Sequence, residues 1–210
     1  MTIELLYVGI LQGLILAMIA FGIMIPFRFL NFPDLTAEGA YPLGGGVCAT
    51  LIVAGTPQMF AMVCGIVAGG FMALCTAQVA LRLKVNSLLA GIILSTMVYS
   101  INLRIIGKPN IALFEMGGIK VDIISLIIIA MLCMIPFTLF LYTDFGLRFR
   151  TIGSNPKFAI NHGVSVNKYT SLGLFIAGSM FGLAGSLIVQ IQQFMDVGMG
   201  VGIVIHGLAS

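Results

Sequence analysis

Charge is what this sequence lacks most. Its 210 residues include ten Lys and Arg and seven Asp and Glu, so only 8% are charged, against about 25% in an ordinary globular protein. Hydrophobic residues make up 60% without counting the 26 glycines. So few charged side chains cannot cover a surface in water, which excludes a soluble enzyme or nucleic-acid-binding domain. The composition therefore predicts an integral membrane protein with the lipid bilayer, and no nucleic acid, as its partner.

Recognisable catalytic motifs are also lacking. The sequence contains no P-loop, no HExxH and no GxSxG motif, so any ATP hydrolysis must come from a separate chain. The four cysteines stand apart, without a CxxC pair or a nearby histidine, and are expected to be small buried hydrophobic residues. We therefore predict a protein that is not an enzyme and has no catalytic residues, metal site or cofactor.

Long charge-free runs predict the membrane spans. A helix of about 20 apolar residues crosses the hydrocarbon core, and the run 39–81 is long enough to cross twice, with a turn at 55–57. The charge-free runs are 5–27, 39–81, 85–103, 123–143, 169–195 and the half-length run 197–210. They predict an all-α polytopic transmembrane helix bundle in a single domain, 1–210, with six spans and a partial seventh.

The distribution of basic residues predicts the orientation. Segments 82–84 and 144–168 are separated by two predicted spans and must therefore share one side of the membrane. Together they carry six Lys and Arg, against three in segment 104–122. The positive-inside rule places them in the cytoplasm and the N-terminus outside.

Glycine pairs at GxxxG spacing predict close helix packing. They occur at Gly9/Gly13, Gly65/Gly69, Gly178/Gly182 and Gly198/Gly202. Without side chains, two helix backbones can approach each other directly. The pairs indicate a tight bundle and carry no information on its function.

The segment 28–39 interrupts the apolar pattern with polar residues. A helix ends here and another begins after Asp34 or Thr36, both of which are good N-cap residues. A broken helix with polar side chains is a common lining of a translocation path, while an ordinary loop at the membrane surface would look the same. Our pathway or gate candidates are Asn31, Asp34, Thr36 and Glu38, and Asp34 and Glu38 would share a face if both were helical.

A second polar cluster closes the last long apolar run, with Gln190, Gln192, Gln193 and Asp196. Gln193 and Asp196 are further pathway candidates, because these side chains could face a water-filled cavity or a docking partner. The alternative is a plain interfacial cap in which Asp196 begins the next helix.

The segment 144–163 predicts a short helix outside the membrane. Asn155 is an N-cap residue, Pro156 suits the first helical position, and Gly163 suits the left-handed position after the end. A helix of Pro156 to His162 is too short to be stable alone. It must pack on a cytoplasmic partner or on its own bundle.

This segment carries a family resemblance. The sequence GLRFRTIGSNPKFAINHGVSVNK at 146–168 resembles the GxxxRAxGxNPxxAxxxGIN loop of bacterial ABC importer permeases of the ribose and branched-chain amino acid group. Residues 31–44 resemble that group's polar segment between its first two helices. Residues 86–110 are similar to a subgroup described as uncharacterised or as aromatic amino acid permeases.

The resemblance implies a permease subunit of an ATP-driven importer in the bacterial inner membrane, for a small polar solute such as an amino acid. Its implied partners are a cytoplasmic ATP-binding cassette subunit, a second permease copy and an extracytoplasmic solute-binding protein. Residues 153–163 would form the coupling helix, and family members continue for several helices beyond the position of Ser210. The implied contacts to the ATPase are Arg148, Gly153, Asn155, Pro156, Phe158, Ala159 and Gly163.

Two functions from other classes remain open. An ion-coupled secondary carrier could use the carboxylates of Asp34 and Glu38 and would need no ATPase. A non-transporting membrane scaffold, or a truncated remnant of a permease, is the third possibility.

Overall fold

The computed structural model describes residues 2–114 and 123–209, and part of the predicted outer loop 104–122 lies outside them. The described residues form helices and one two-stranded ribbon. The helices are α1 (Thr2–Met24), α2 (Ala37–Val53), α3 (Gln58–Leu83), α4 (Ser87–Ile106), α5 (Ile123–Leu141), α6 (Asp144–Ser154), α7 (Pro156–Asn161), α8 (Val166–Gln192) and α9 (Ile203–Ala209). A π-helical turn, Ile25–Phe29, extends α1, and the strands are β1 (Asn110–Ala112) and β2 (Phe194–Asp196).

The all-α bundle is confirmed, whereas six spans and a partial seventh are not. Four described helices are long and apolar enough to cross a membrane: Leu6–Phe29, Gln58–Leu83, Ser87–Ile106 and Val166–Gln192. A fifth span is possible in the pair Ser125–Leu139 and Asp144–Ser154, which is bent by 79°. The turn at 55–57 is confirmed, because α2 ends at Val53 and α3 begins at Gln58.

Helices α2, α3 and α8 form the centre of the bundle, where glycine lets their backbones touch. A Cβ added at Gly69 would lie 2.5 Å from the Gly178 carbonyl oxygen, and one added at Gly182 would lie 2.5 Å from the Gly65 carbonyl oxygen. Two predicted GxxxG pairs therefore face each other across α3 and α8. The other two predicted pairs do not form close helix contacts. A Cβ added at Gly9 or Gly13 would have no described atom within 4 Å, and Gly198 and Gly202 lie in turns.

The two ends of the bundle group the connecting segments as predicted. At one end the Gln78 amide of α3 donates to the Ser171 hydroxyl of α8 at 3.1 Å, which brings segments 82–84 and 144–168 to the same side. At the other end β1 pairs antiparallel with β2, a ribbon that the apolar pattern does not predict.

The cysteines are only partly the buried residues expected. Cys48 is buried, Cys64 and Cys133 are half-buried, and Cys75 is exposed. Cys75 lies on the outer face of α3, where a small apolar side chain can also face lipid. The prediction that all four are buried is therefore wrong for Cys75.

The glycine contact yields a first prediction. Gly182→Val places a branched side chain against the Gly65 carbonyl and the Ile66 Cα, so α3 and α8 must separate. We expect a loss of about 3 kcal/mol of stability from overpacking, measured as a lower midpoint of thermal unfolding in mild detergent. Gly9→Val is the control, since no described atom lies near its Cβ. Equal midpoints for the two variants would contradict the packing role of Gly182.

Candidate functional site

The break between α1 and α2 is built around Asp34. Its side chain is 4% exposed, and its Oδ1 accepts hydrogen bonds from the Thr36 amide at 3.0 Å and from the Thr36 hydroxyl. Helix α2 begins at Ala37 with Thr36 as the N-cap residue, as predicted. The Thr36 side chain makes no capping bond to the helix; instead the Asp34 carboxylate holds Thr36 in place at the helix start.

The chain reaches this break through unusual backbone geometry. Pro26 lies in the π-helical turn, where its missing N–H loosens the regular helix. Asn31 has a φ of 48°, in the left-handed region that asparagine tolerates better than most residues. Asn31 is exposed, so it shapes the turn more than it lines an interior space.

Glu38 lies apart from Asp34, which corrects the idea that they share a helical face. Asp34 precedes α2, which begins at Ala37, so a spacing of four residues does not place the two side chains on one helical face. The Glu38 carboxylate, half-buried at the start of α2, instead accepts a hydrogen bond from the Gly202 amide at 3.3 Å. It therefore connects α2 to the turns before α9.

A small cavity with several polar side chains in its lining opens beside Glu38, between α2, α4 and the turns at 197–202. Its volume is about 160 Å³, less than the roughly 300 Å³ at which ligand pockets usually begin. Its size suits a constriction rather than a complete solute pocket. The lining residues are Glu38, Gly39, Pro42, Ser95, Thr96, Val98, Tyr99, Asn102, Val197, Gly200 and Val201.

Pro42 and Asn102 join α2 to α4 beside this cavity. Pro42 lies inside α2 and cannot donate the helical hydrogen bond to the Glu38 carbonyl. The Asn102 amide nitrogen donates to the Pro42 carbonyl at 3.0 Å. The Asn102 Oδ1 is buried and has no hydrogen-bond donor among the described residues, a cost of about 1–3 kcal/mol.

Sequence analysis missed the contribution of α4. Ser95, Tyr99 and Asn102 follow one another at intervals of four and three residues, which places them on one face of a helix. The Ser95 hydroxyl already bonds to the Ile92 carbonyl at 2.9 Å, so it presents its lone pairs to the cavity. A polar stripe at this spacing in an apolar span was the signal that could have found them.

Gln193 and Asp196 lie next to the cavity lining rather than in it. The Gln193 amide donates to the Gln190 carbonyl at 2.6 Å, closing α8. The exposed Asp196 accepts from the Gly198 amide at 2.6 Å. Asp196 therefore caps a turn, and α9 begins only at Ile203. Their pathway role stays a prediction.

The short helix forms as predicted, and its ends follow the local rules. The Asn155 side chain accepts from the Phe158 amide at 3.1 Å, Pro156 is the first helical residue, and Gly163 has a φ of +75°. Helix α7 ends at Asn161, one residue earlier than expected, with His162 as its C-cap.

The predicted coupling residues divide into an anchored group and an exposed group. Arg148 donates to the Tyr169 hydroxyl at 3.1 Å, the Gly153 backbone packs on the Phe29 carbonyl, and Ala159 is buried. In contrast, Phe158 is 50% exposed and Ile160 is 60% exposed. The segment therefore packs on its own bundle with one side and presents apolar side chains with the other.

The described residues include no group of three or more His, Cys, Asp or Glu side chains that could hold a metal ion. The cavity beside α2 can therefore bind a solute through hydrogen bonds and through the single carboxylate of Glu38.

Comparison with known proteins identifies the family. A family described as the permease component of the branched-chain amino acid transport system matches residues 5–210. The chain belongs to this permease family. It is a multi-pass membrane protein and a permease component of a transport system, and members of the family are transporter subunits rather than enzymes.

Two curated relatives are similar along nearly the whole chain. A "Tyrosine transport system permease protein" of Clostridioides difficile (strain R20291) is 36% identical over 203 residues, which cover 95% of this chain and 69% of the relative. An uncharacterized protein of Rickettsia prowazekii (strain Madrid E) is 32% identical over 205 residues, covering 95% of this chain and 72% of the relative. No solved structure gives a significant match.

The Asp34 contacts yield a second prediction. Asp34→Ala leaves the two buried donors of Thr36 without an acceptor, and loss of such a cap costs about 1–2 kcal/mol. Asp34→Asn keeps one acceptor oxygen, so we expect less than half of that loss. Asp196→Ala is the exposed control, since water can replace its oxygen. Thermal unfolding in detergent measures all three, and an unchanged midpoint for Asp34→Ala would contradict the capping role.

Proposed function

We propose that this permease is the membrane-spanning subunit of an ATP-driven importer of the bacterial inner membrane, coupled to a cytoplasmic ATPase through α7. The observation that carries the proposal is a helix of six residues, Pro156–Asn161, with fixed ends and with Phe158 and Ile160 exposed. Such a short helix has no stability of its own. Its exposed apolar side chains fit the groove of a partner subunit better than they fit water.

The anchoring of α6 supports a coupling role. Phe149 and Ile152 of α6 are fully buried, and Gly153 packs directly on the carbonyl of Phe29. A force on α7 would therefore pass through α6 to the π-helical turn. That turn leads within a few residues to Asp34 and the start of α2, so the ATPase contact and the broken helix are mechanically adjacent.

The cavity beside Glu38 supports a solute path along α2 and α4. Its lining combines the Glu38 carboxylate, three hydroxyl groups and the Asn102 side chain, next to a helix interrupted by Pro42. Irregular backbone at membrane depth is tolerated where it lines a cavity or is buried in protein. We assign it as the gate of the pathway, for a small polar solute such as an amino acid. The similarity to the tyrosine transport permease supports this solute class.

The further partners follow from the same proposal. A second permease copy would complete the pathway, and an extracytoplasmic binding protein would deliver the solute at the end that carries β1 and β2. The whole stretch 1–210 acts as one transmembrane domain.

The ion-coupled carrier finds less support. Asp34 is bonded to Thr36, and Glu38 to Gly202, so the two carboxylates do not form one ion site. ATP-independent uptake would restore that alternative, and a lack of any uptake by the complete system would favour a scaffold.

The coupling proposal predicts the effect of Phe158→Ala. Loss of the aromatic contact should cost about 1–3 kcal/mol at the subunit interface, and about 1.4 kcal/mol corresponds to tenfold in affinity. We expect clearly less ATPase to co-purify after mild detergent extraction. Phe114→Ala is the matched control, because this exposed phenylalanine lies next to β1 at the other end. Full ATPase retention with a lowered unfolding midpoint would show instead that Phe158 packs within its own subunit.

The gate proposal predicts the effect of Glu38→Gln on uptake. Glutamine still accepts from the Gly202 amide but removes the charge, and hydrogen bonds to charged groups contribute about 1.5–3 kcal/mol. We expect roughly tenfold slower tyrosine uptake in cells with the complete system, with unchanged expression. Glu4→Gln, the same substitution near the start of α1, should transport normally. Equal uptake by both variants would remove Glu38 from the pathway.

A further inference from the structure

A groove outside the proposed pathway runs between α3 and α8 at the end of the bundle that holds Arg82 and Lys168. Its volume is about 700 Å³. The hydrogen bond from Gln78 to Ser171 lies in its lining. This bond joins the two helices, so the groove is a shaped surface of the folded chain and not a gap between mobile elements.

The walls of the groove are mostly apolar and run along α3 and α8. Phe71 and Phe175 form its far end, with ring centroids 6.1 Å apart in an edge-to-face arrangement, and Leu74 and Leu172 lie between them and the charged end. From Phe71 to Arg82 the helix rises about 16 Å. This length is about half of the roughly 30 Å hydrocarbon core, which is the depth of one leaflet.

Two cations close the groove at the membrane surface. Arg82 and Lys168 both line it, and its lining contains no Asp or Glu. Neither the Arg82 guanidinium nor the Lys168 ammonium forms a hydrogen bond or ion pair with a described residue. Tyr169 and Tyr142 lie near this end, and Arg150 stacks 5.7 Å from the Tyr142 ring. Tyrosine is enriched at the level of the lipid headgroups, so Arg82 and Lys168 lie at that level too.

We propose that this groove binds one anionic phospholipid, with the phosphate at Arg82 and Lys168 and one acyl chain along Leu74 and Leu172 to Phe71. Basic pockets between transmembrane helices bind anionic headgroups in this manner. A second copy of the chain is a poorer occupant. Subunits with the same orientation in the membrane would bring these cations next to those of the neighbour. This inference is independent of the proposed transport function.

The chain contains no tryptophan, which provides a clean test. Phe71→Trp places an indole at the far end of the groove, and quenching by lipids with brominated acyl chains reports which lipid lies there. In vesicles of phosphatidylcholine and phosphatidylglycerol, we expect brominated phosphatidylglycerol to bind about tenfold more tightly than brominated phosphatidylcholine. Leu172→Trp, on the opposite wall, should report the same preference if the first variant folds poorly.

The matched control is Phe60→Trp. Phe60 is 58% exposed and Phe71 is 57% exposed; they lie eleven residues apart on the same face of α3, with Phe60 near the start of the helix and far from Arg82. The control should show no lipid preference. Arg82→Gln combined with Lys168→Gln should abolish the preference at position 71, whereas Arg104→Gln with Lys108→Gln, an equal charge change elsewhere, should not.

Four results would overturn the proposal. Equal quenching by both lipids would show no headgroup selectivity. An equal loss in the two double variants would indicate general surface charge. Loss of the preference in millimolar inorganic phosphate would indicate a small-anion site, and weak quenching by either lipid would show that another protein surface covers the groove.

Discussion

Gly44, Gly65 and Gly182 bring the backbones of α2, α3 and α8 into direct contact at the centre of the bundle. In lipid, no hydrophobic force draws helices together, so van der Waals packing between backbones must supply much of the attraction. Any larger side chain at these positions would separate the helices. The contact fixes α2 in the interior, where most of its residues are buried, and Asp34, Glu38 and Asn102 all take their positions from that helix.

Because α2 is held from two sides, its irregular parts can lie inside the protein. The carbonyl that Pro42 leaves without a helical donor packs next to Gly200, and the Pro42 carbonyl itself receives the Asn102 amide. At the start of the helix, Asp34 satisfies Thr36. Exposed to lipid, each of these groups would cost several kcal/mol. The rigid glycine contact therefore makes a polar, interrupted helix possible in an otherwise apolar bundle.

Local rules predicted the elements that depend on neighbouring residues. Asn155, Pro156 and Gly163 set the ends of α7, the turn at 55–57 separates α2 from α3, and Thr36 precedes α2, all as expected. The features that were missed depend on residues far apart in the chain. Strands β1 and β2 pair Asn110 with Asp196, and Glu38 reaches Gly202. The number of spans also differs from the prediction, since α2 has only 17 residues and is not among the described helices long enough to cross a membrane.

The candidate site was likewise predictable only where it depends on residues close together in the chain. Asp34, Thr36 and Glu38 stand out as polar residues at a break, but whether a side chain caps a helix or faces a cavity depends on what packs against it. Asp34 is turned toward Thr36 and the Gly91 region of α4, while Glu38 meets the cavity lined by Ser95 and Asn102. In segment 144–163 the sequence also does not show which residues face the bundle: Gly153 packs on Phe29 and Phe158 is exposed. Since Gly153 rests on Phe29, and Phe29 directly precedes the break, a single backbone contact connects the surface that would receive a partner to the helix that lines the cavity.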